Sequence, residues 1–175
     1  MRSRQSPPLS FEVASEMFRI DAAIKGVVWK SDPYKKGGSA GKRPGYVMKA
    51  GYRLVRVFHT NIYEHHIVWL LTTGHWPTQS IDHINRVKDD NRVENLRLAT
   101  QSQQRGNSKR DRKVNPDLPR GVIRNGSRFV ARIGVKCVDG KHCTRYIGSY
   151  KSVEDAAAAY NREATKRWGE YYALT

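Results

Sequence analysis

Cysteine is nearly absent from this chain: among 175 residues there are two, Cys137 and Cys143, too few for a disulfide framework. They flank Asp139-Gly140. If those residues form a two-residue turn, Cys137 faces His142 and the thiols lie diagonally, so they are expected to be free thiols of a reducing compartment. Only His142 is near enough in sequence to help hold a zinc ion, and no zinc site is expected. Long apolar runs are missing too, and none approaches the eighteen residues that a membrane-spanning helix needs. Met1-Arg2-Ser3-Arg4 leads into Pro7-Pro8 with no apolar signal-peptide core, so a cytoplasmic protein is expected. Acids are scarce as well: 16 against 32 Lys and Arg give +16. That excess fits a polyanionic partner, nucleic acid above all. A basic membrane-surface protein would show an amphipathic helix with a Lys/Arg face, and none is visible, so no membrane partner is expected, nor an organic cofactor.

What is present is concentrated between Ile81 and Gln104. Asp82 and His83 stand side by side, bracketed by Ile81 and Ile84, and Asn95 follows thirteen residues after the aspartate. Leu96 and Leu98 alternate with Arg97 and Ala99, as in a half-buried strand, and Thr100 with Gln103 forms a capping box that starts a helix. The order is strand end, charged loop, strand, helix. Neighbours on a regular strand face opposite ways, so Asp82 and His83 reach one site only from a strand end or bulge. A carboxylate and an amide oxygen, from Asp82 and Gln104, suit one hard divalent cation, Mg2+ or Mn2+, and a neutral imidazole beside it suits deprotonation of water.

His65-His66-Ile67-Val68-Trp69-Leu70-Leu71, Gly74-His75-Trp76-Pro77, Ile81-Asp82-His83-Ile84-Asn85 and Asp90-Asn91-Arg92-Val93-Glu94-Asn95-Leu96-Arg97 together resemble an HNH endonuclease. The likeness runs from about Tyr63 to Asn107 and is to the phage-type homing or free-standing group with a ββα-metal fold. It implies that Asp82 binds the metal, that His83 is the general base, and that Asn95 orients His83 or the loop. The family's second protein ligand is usually an Asn or His early in the last helix, where this chain has Gln104. Gln keeps the amide oxygen and adds one methylene; Asn107, a turn further on, is the fallback ligand. His65 matches the family's first His and is expected to be structural or phosphate-contacting.

Around this stretch, residues 1–9 read as a basic tail, Ser10 as the N-cap of a helix over Phe11–Arg19, and Val27-Val28-Trp29 as a strand. Residues 32–45 form a loop whose Lys35, Lys36, Lys42 and Arg43 are candidates for phosphate contact. Tyr46–Met48 and Tyr52–Phe58 make a hairpin, with Arg53 and Arg56 on opposite faces. Ile67–Leu71 is a short apolar helix closed by Gly74, and Trp69 is a core residue. The loop Asn85–Glu94 is nearly charge-balanced and expected to hold itself through side-chain to backbone bonds. Arg92 and Arg97 are the cations placed near the scissile strand.

Residues 105–119, with Arg105, Lys109, Arg110, Arg112 and Lys113, form a basic linker that can follow a DNA groove or remain a solvated connector. From Arg120 the periodicity becomes two. Val122-Ile123, Phe129–Ile133 and Thr144–Tyr150 are strands, and Ser152 with Asp155 caps a helix whose Val153, Ala156 or Ala157, Tyr160, Ala164 and Trp168 share a face. Arg120-Gly121-Val122, Phe129–Ile133, Tyr146-Ile147-Gly148-Ser149-Tyr150, Glu154–Tyr160 and Trp168-Gly169-Glu170 resemble the plant ethylene-response (APETALA-type) DNA-binding domain. That resemblance implies a sheet in the major groove, contacting DNA through Arg120, Arg124, Arg128, Arg145 and Tyr146, with Arg132 where the plant domains usually have an acid. The turn after Arg124 is shorter than theirs and lacks their Trp, so base-by-base specificity does not carry over.

The fold expected is α+β: an N-terminal αβ region plus HNH nuclease module (1–104, core 63–109), the linker, and a three-stranded antiparallel sheet packed on one helix (120–175). Thirteen bases and seven acids from Asp111 onward give +6, leaving +10 before it, so both halves are expected to touch DNA. The activity expected is a metal-dependent DNA endonuclease, with a monomer that nicks as the simplest form. The rivals are a DNA-binding or regulatory protein impaired through Gln104, and a packaging protein acting through charge alone.

Overall fold

Ser10 accepts the Val13 N–H at 3.3 Å and caps helix α1, Phe11–Met17. The structure, a computed structural model, describes residues 8–31, 38–108, 117–137 and 140–173; Lys35, Lys36, Lys109, Arg110, Arg112, Lys113 and Asp139 lie outside them. Helix α1 stops short of Arg19 because residues Phe18–Asp21 leave it as strand β1. They pair antiparallel with β2, Gly26–Trp29, and the register sets Phe18 against Trp29, whose rings stack 4.5 Å apart.

Strands β3 (Tyr46–Val47), β4 (Arg53–Val57) and β5 (Thr60–Tyr63) form one antiparallel sheet in that order. The expected hairpin is its first half. The second half, β4 to β5, turns at Phe58 and His59, both left-handed with φ of 45° and 67°. Such two-residue turns favour Asn-Gly, and a left-handed non-glycine residue costs roughly 1–2 kcal/mol. Nothing in the residue types announces this turn.

Helix α2, Glu64–Thr73, follows at once and ends at left-handed Gly74, whose N–H returns to the Leu70 carbonyl at 2.9 Å. It buries Ile67, Val68 and Leu70 in a core with Ala14, Phe18, Val27, Val55, Val57, Ile62, Ile81 and Leu96, and Trp69 packs against that core. Strands β6 (Ser80–His83) and β7 (Leu96–Ala99) pair without a register break, Asp82 opposite Arg97 and His83 opposite Leu96.

The chain divides into two units, Met1–Thr100 and Gln101–Thr175. Helix α3, Gln101–Asn107, therefore belongs to the second, where Trp168 Nε1 donates to Ser102 Oγ at 3.2 Å. The second unit's sheet has the order β10-β9-β8, from β8 (Val122–Asn125), β9 (Arg128–Lys136) and β10 (His142–Tyr150). Helix α4, Val153–Trp168, is capped by Ser152 Oγ on the Asp155 N–H and lays Ala156, Ala159, Tyr160 and Ala164 on Val122, Ala131 and Ile133. A Cβ at left-handed Gly121 would overlap the Tyr160 ring, so only glycine fits there. The two cysteines are not free thiols: Cys137 and Cys143 form a disulfide with Cα atoms 5.8 Å apart. Cys137 donates its N–H to the Lys141 carbonyl and Cys143 pairs with Val135, a diagonal arrangement within the usual bridging range. Among the described residues no helix is long and apolar enough to cross a membrane.

One polar group ties the first unit together. Glu64, fully buried at the start of α2, accepts the Val27 N–H (3.0 Å), Arg43 Nε (3.0 Å), Arg43 Nη2 (2.6 Å) and Asn91 Nδ2 (2.6 Å). Arg43 and Arg53 both reach Asp89 as well, at 3.1 and 2.9 Å. Gly26 is required beside this carboxylate, since a Cβ there would overlap it. Removing one member of a buried charge network strands the others, at about 3–5 kcal/mol. Glu64→Ala is therefore expected to lower unfolding free energy by about that much, and a urea-denaturation loss below about 1 kcal/mol would count against Glu64 as the hub.

Candidate active site

His83 ends β6, is buried, and has its Nε2 2.8 Å from Asn91 Oδ1. Asn91, fully buried, is held on its other side by Glu64 Oε2 and by its own N–H on the Lys25 carbonyl at 2.8 Å. A carboxylate between guanidinium groups only accepts, so Asn91 must turn its amide nitrogen to Glu64 and its oxygen to His83. His83 then donates from Nε2–H. Its proton-accepting nitrogen is Nδ1.

Several rings also lie around this imidazole. The His65 ring lies 5.3 Å from His83 and 4.6 Å from His66, Tyr63 stacks on His65 at 5.2 Å, and Tyr52 lies 5.9 Å from His83. Burial pushes His65 down to about 2, with His66 and His83 adding to the shift. Burial also lowers His83, opposed by the Asn91 bond and by the charges of Asp82 and Asp90. Tyr52 is raised, by burial first and then by Tyr63 and Asp82. Asp82 is therefore close enough to act electrostatically on both Tyr52 and His83; β6 has no bulge, and His83 is its last residue, so the pair stands at a strand end. Its Oδ2 accepts from Arg97 Nε and Nη2, each at 3.0 Å.

Asn95 bonds the loop rather than His83. Its Oδ1 accepts the Asn85 N–H (2.9 Å), its Nδ2 donates to the Asp90 carbonyl (2.6 Å), and its carbonyl accepts the Ile84 N–H (2.9 Å). Buried Asp90 accepts from Arg92 at 2.8 and 2.7 Å and from Asn85 Nδ2 at 2.8 Å, and the Arg92 bond holds its carboxyl well below the usual range. Arg92 and Arg97 are thus both ion-paired within the unit. Asn91, Glu64 and Tyr52 were not nominated from sequence. Asn91 lies in the same motif as Asn95, and spacing alone does not distinguish them; Glu64 and Arg43, 21 positions apart, carry no pattern that links them.

In the second unit the strand register sorts the nominated contacts. Arg128, Val130 and Arg132 alternate with Phe129, Ala131 and Ile133, which face α4, and Tyr146 pairs with Arg132 and is 63% exposed. Arg128, Arg132 and Tyr146 therefore share the face away from the helix. Arg145 pairs with Ile133 on the helix side and binds Glu163 at 2.5 Å. Arg124 lies over the Phe129 ring, 5.8 Å from its centroid. Arg120 donates to the Arg105, Gly106 and Ser108 carbonyls and lies over Trp168, so it fastens the end of α3. Arg105 lies 3.3 Å from His142 Nε2. Arg110 is outside the described residues.

For a divalent cation, the first unit offers the Asp82 carboxylate beside His83; Gln104 and Asn107, whose amide oxygens are of a suitable donor type, stand on α3 in the second unit. Among the described residues there is no group of three or more His, Cys, Asp or Glu that could hold a metal; the donor set named here contains a single carboxylate. The HNH endonuclease family model matches residues 63–105, which takes in α2, β6, β7 and the start of α3. That match supports an HNH endonuclease domain and, with it, a nuclease acting on DNA. No curated protein and no solved structure matches the chain.

Because burial pushes the folded His65 down to about 2 while an unfolded imidazole stays near 6.5, the unfolded chain holds the extra proton between those values. Stability is expected to be lost as pH falls below 6.5, at up to about 1.4 kcal/mol per pH unit from this residue. His65→Gln should flatten the slope of unfolding free energy between pH 6 and 4 by about that amount, and an unchanged slope would contradict the buried neutral imidazole.

Proposed function

We propose that this protein is a metal-dependent HNH endonuclease of the phage homing or free-standing type that nicks or cleaves double-stranded DNA, directed by its C-terminal sheet. The observation that carries this is the His83 ring held by Asn91 and Glu64 next to the Asp82 carboxylate, within the stretch that matches the family model. His83 Nδ1 takes the proton of a water whose oxygen bonds to the scissile phosphorus, while the bond to the 3′ oxygen breaks. By accepting from Nε2–H, Asn91 fixes the tautomer in which Nδ1 is the accepting nitrogen of the neutral ring, and burial is what favours the neutral form. A single Mg2+ or Mn2+, with Asp82 and Gln104 or Asn107 as ligands, would offset charge on the transition state and the departing oxygen. Arg97, held on Asp82, sets a cation at the same strand edge, where a phosphate is attracted. One active site per chain makes a nick by a monomer the simplest outcome.

The Arg97–Asp82 pair also favours a second reading, a DNA-binding protein that does not cut, because it already engages the carboxylate a metal would take. A supercoiled plasmid with Mg2+ or Mn2+ separates the two. Wild type is expected to nick, His83→Ala to lose at least about a hundredfold, and Asn91→Ala, Gln104→Ala and Asn107→Ala to report on the tautomer and the amide ligands. Equal nicking by wild type and His83→Ala sinks the catalytic assignment; a shifted but uncut duplex favours the binder.

Target affinity is assigned to the outward face, Arg128, Arg132 and Tyr146, although Arg128 also donates to Ser149; Arg105, Arg110, Arg120, Arg124 and Arg145 remain candidates of lower rank, since Arg105, Arg120 and Arg145 are engaged elsewhere in their own unit and Arg124 pairs with Phe129 on the side toward α4. Arg132→Ala with Tyr146→Ala should weaken duplex binding by about 1–3 kcal/mol and leave the melting temperature unchanged, since both side chains are exposed. Undiminished binding in an anisotropy titration would remove this face from the interface.

A further inference from the structure

The hairpin between β4 and β5 presents Phe58 at its tip, 69% exposed, the most exposed large apolar side chain among the described residues. It does so in a backbone that opposes it: Phe58 and His59 are both left-handed, φ 45° and 67°, in a turn for which Asn-Gly is the unstrained solution. An aromatic ring held out in water on a strained turn contributes nothing to the core beneath it. The hairpin carries no acid from Arg53 to Tyr63; Arg53 at its base is bound to Asp89, and Arg56 is exposed two residues before the ring. The other end of β5 is Tyr63, which stacks on His65 beside His83. At about 3.4 Å per strand residue, plus the turn and the stacked rings, the tip lies about 15 Å from the imidazole cluster. That equals about four or five base-pair steps.

We infer that the Phe58 tip is a wedge that inserts between stacked base pairs about four or five steps from the phosphate held at His83. The inference rests on the proposed action on duplex DNA. A flat aromatic ring on a narrow, acid-free hairpin matches an unstacked base step, and exposed Arg56 beside it matches a flanking phosphate. Insertion would bend or open the duplex beside the site and fix the register in which one phosphate meets His83.

The test sets stability against binding. Phe58→Asn combined with His59→Gly installs the favoured turn, so melting temperature is expected to rise, by about 4–8 °C for a unit of this size. Affinity for a duplex oligonucleotide containing the mapped cleavage site should fall at least about fivefold, as loss of one ring stacked on a base implies. Phe58→Trp, which retains a stacking ring, should keep wild-type affinity. With 2-aminopurine stepped along the duplex and no divalent ion added, wild type should raise fluorescence at one step near the expected distance, and the double variant should not. A wild type that binds no duplex overturns this inference together with the proposed function. Wild-type binding matched by the double variant, with no 2-aminopurine signal, overturns this inference alone. So does a double variant that loses self-association in sedimentation while keeping its affinity for DNA.

Discussion

A single buried carboxylate, Glu64, holds together the parts on which the candidate active site rests. It has no water to solvate it, so its charge must be met by the Arg43 guanidinium and by N–H donors from β2 and Asn91. Those partners come from segments far apart in sequence, and each is fixed because the carboxylate cannot tolerate its loss. The orientation of the Asn91 amide follows from this, and the tautomer of His83 follows from Asn91. A requirement of solvation thus becomes a requirement on which imidazole nitrogen accepts a proton.

The loop between β6 and β7 obeys the same logic with different groups. Asp90 is buried, bound by Arg92 and Asn85, and Asn95 closes the loop through three bonds to its own backbone neighbourhood. Rigid polar closure here contrasts with the Phe58 tip, where apolar surface is left exposed on strained backbone. One region spends polar groups on holding a geometry. The other keeps a geometry that packing within the unit does not reward.

In the second unit, strand alternation decides which cations face outward. Arg128 and Arg132 fall on the face opposite α4, while Arg145, one residue from exposed Tyr146, turns to the helix and meets Glu163. Arg120 is drawn onto three carbonyls at the end of α3 and the face of Trp168. An arginine's surroundings, rather than its place in a motif, determine whether its charge is available. The disulfide makes the same point: the sparse cysteines suggested free thiols, yet the β9–β10 ladder brings Cys137 and Cys143 within bridging distance.

Local patterns determined much. The capped starts of α1 and α4, the Gly74 stop, the alternating strands of the second unit and the Asp82-His83 pair on a strand followed by a helix were all legible, because capping, periodicity and turn chemistry act within a few residues. The Phe58-His59 turn was not, because its residue types disfavour the conformation that tertiary pairing imposes. Nor was the choice of Asn91 over Asn95 as the partner of His83: both are asparagines of one loop, and only the buried Glu64 distinguishes them. Residue types set which chemistry is possible; the burial of one charge among distant segments decided which atoms carry it, because desolvation is a property of the packed chain and not of any stretch of it.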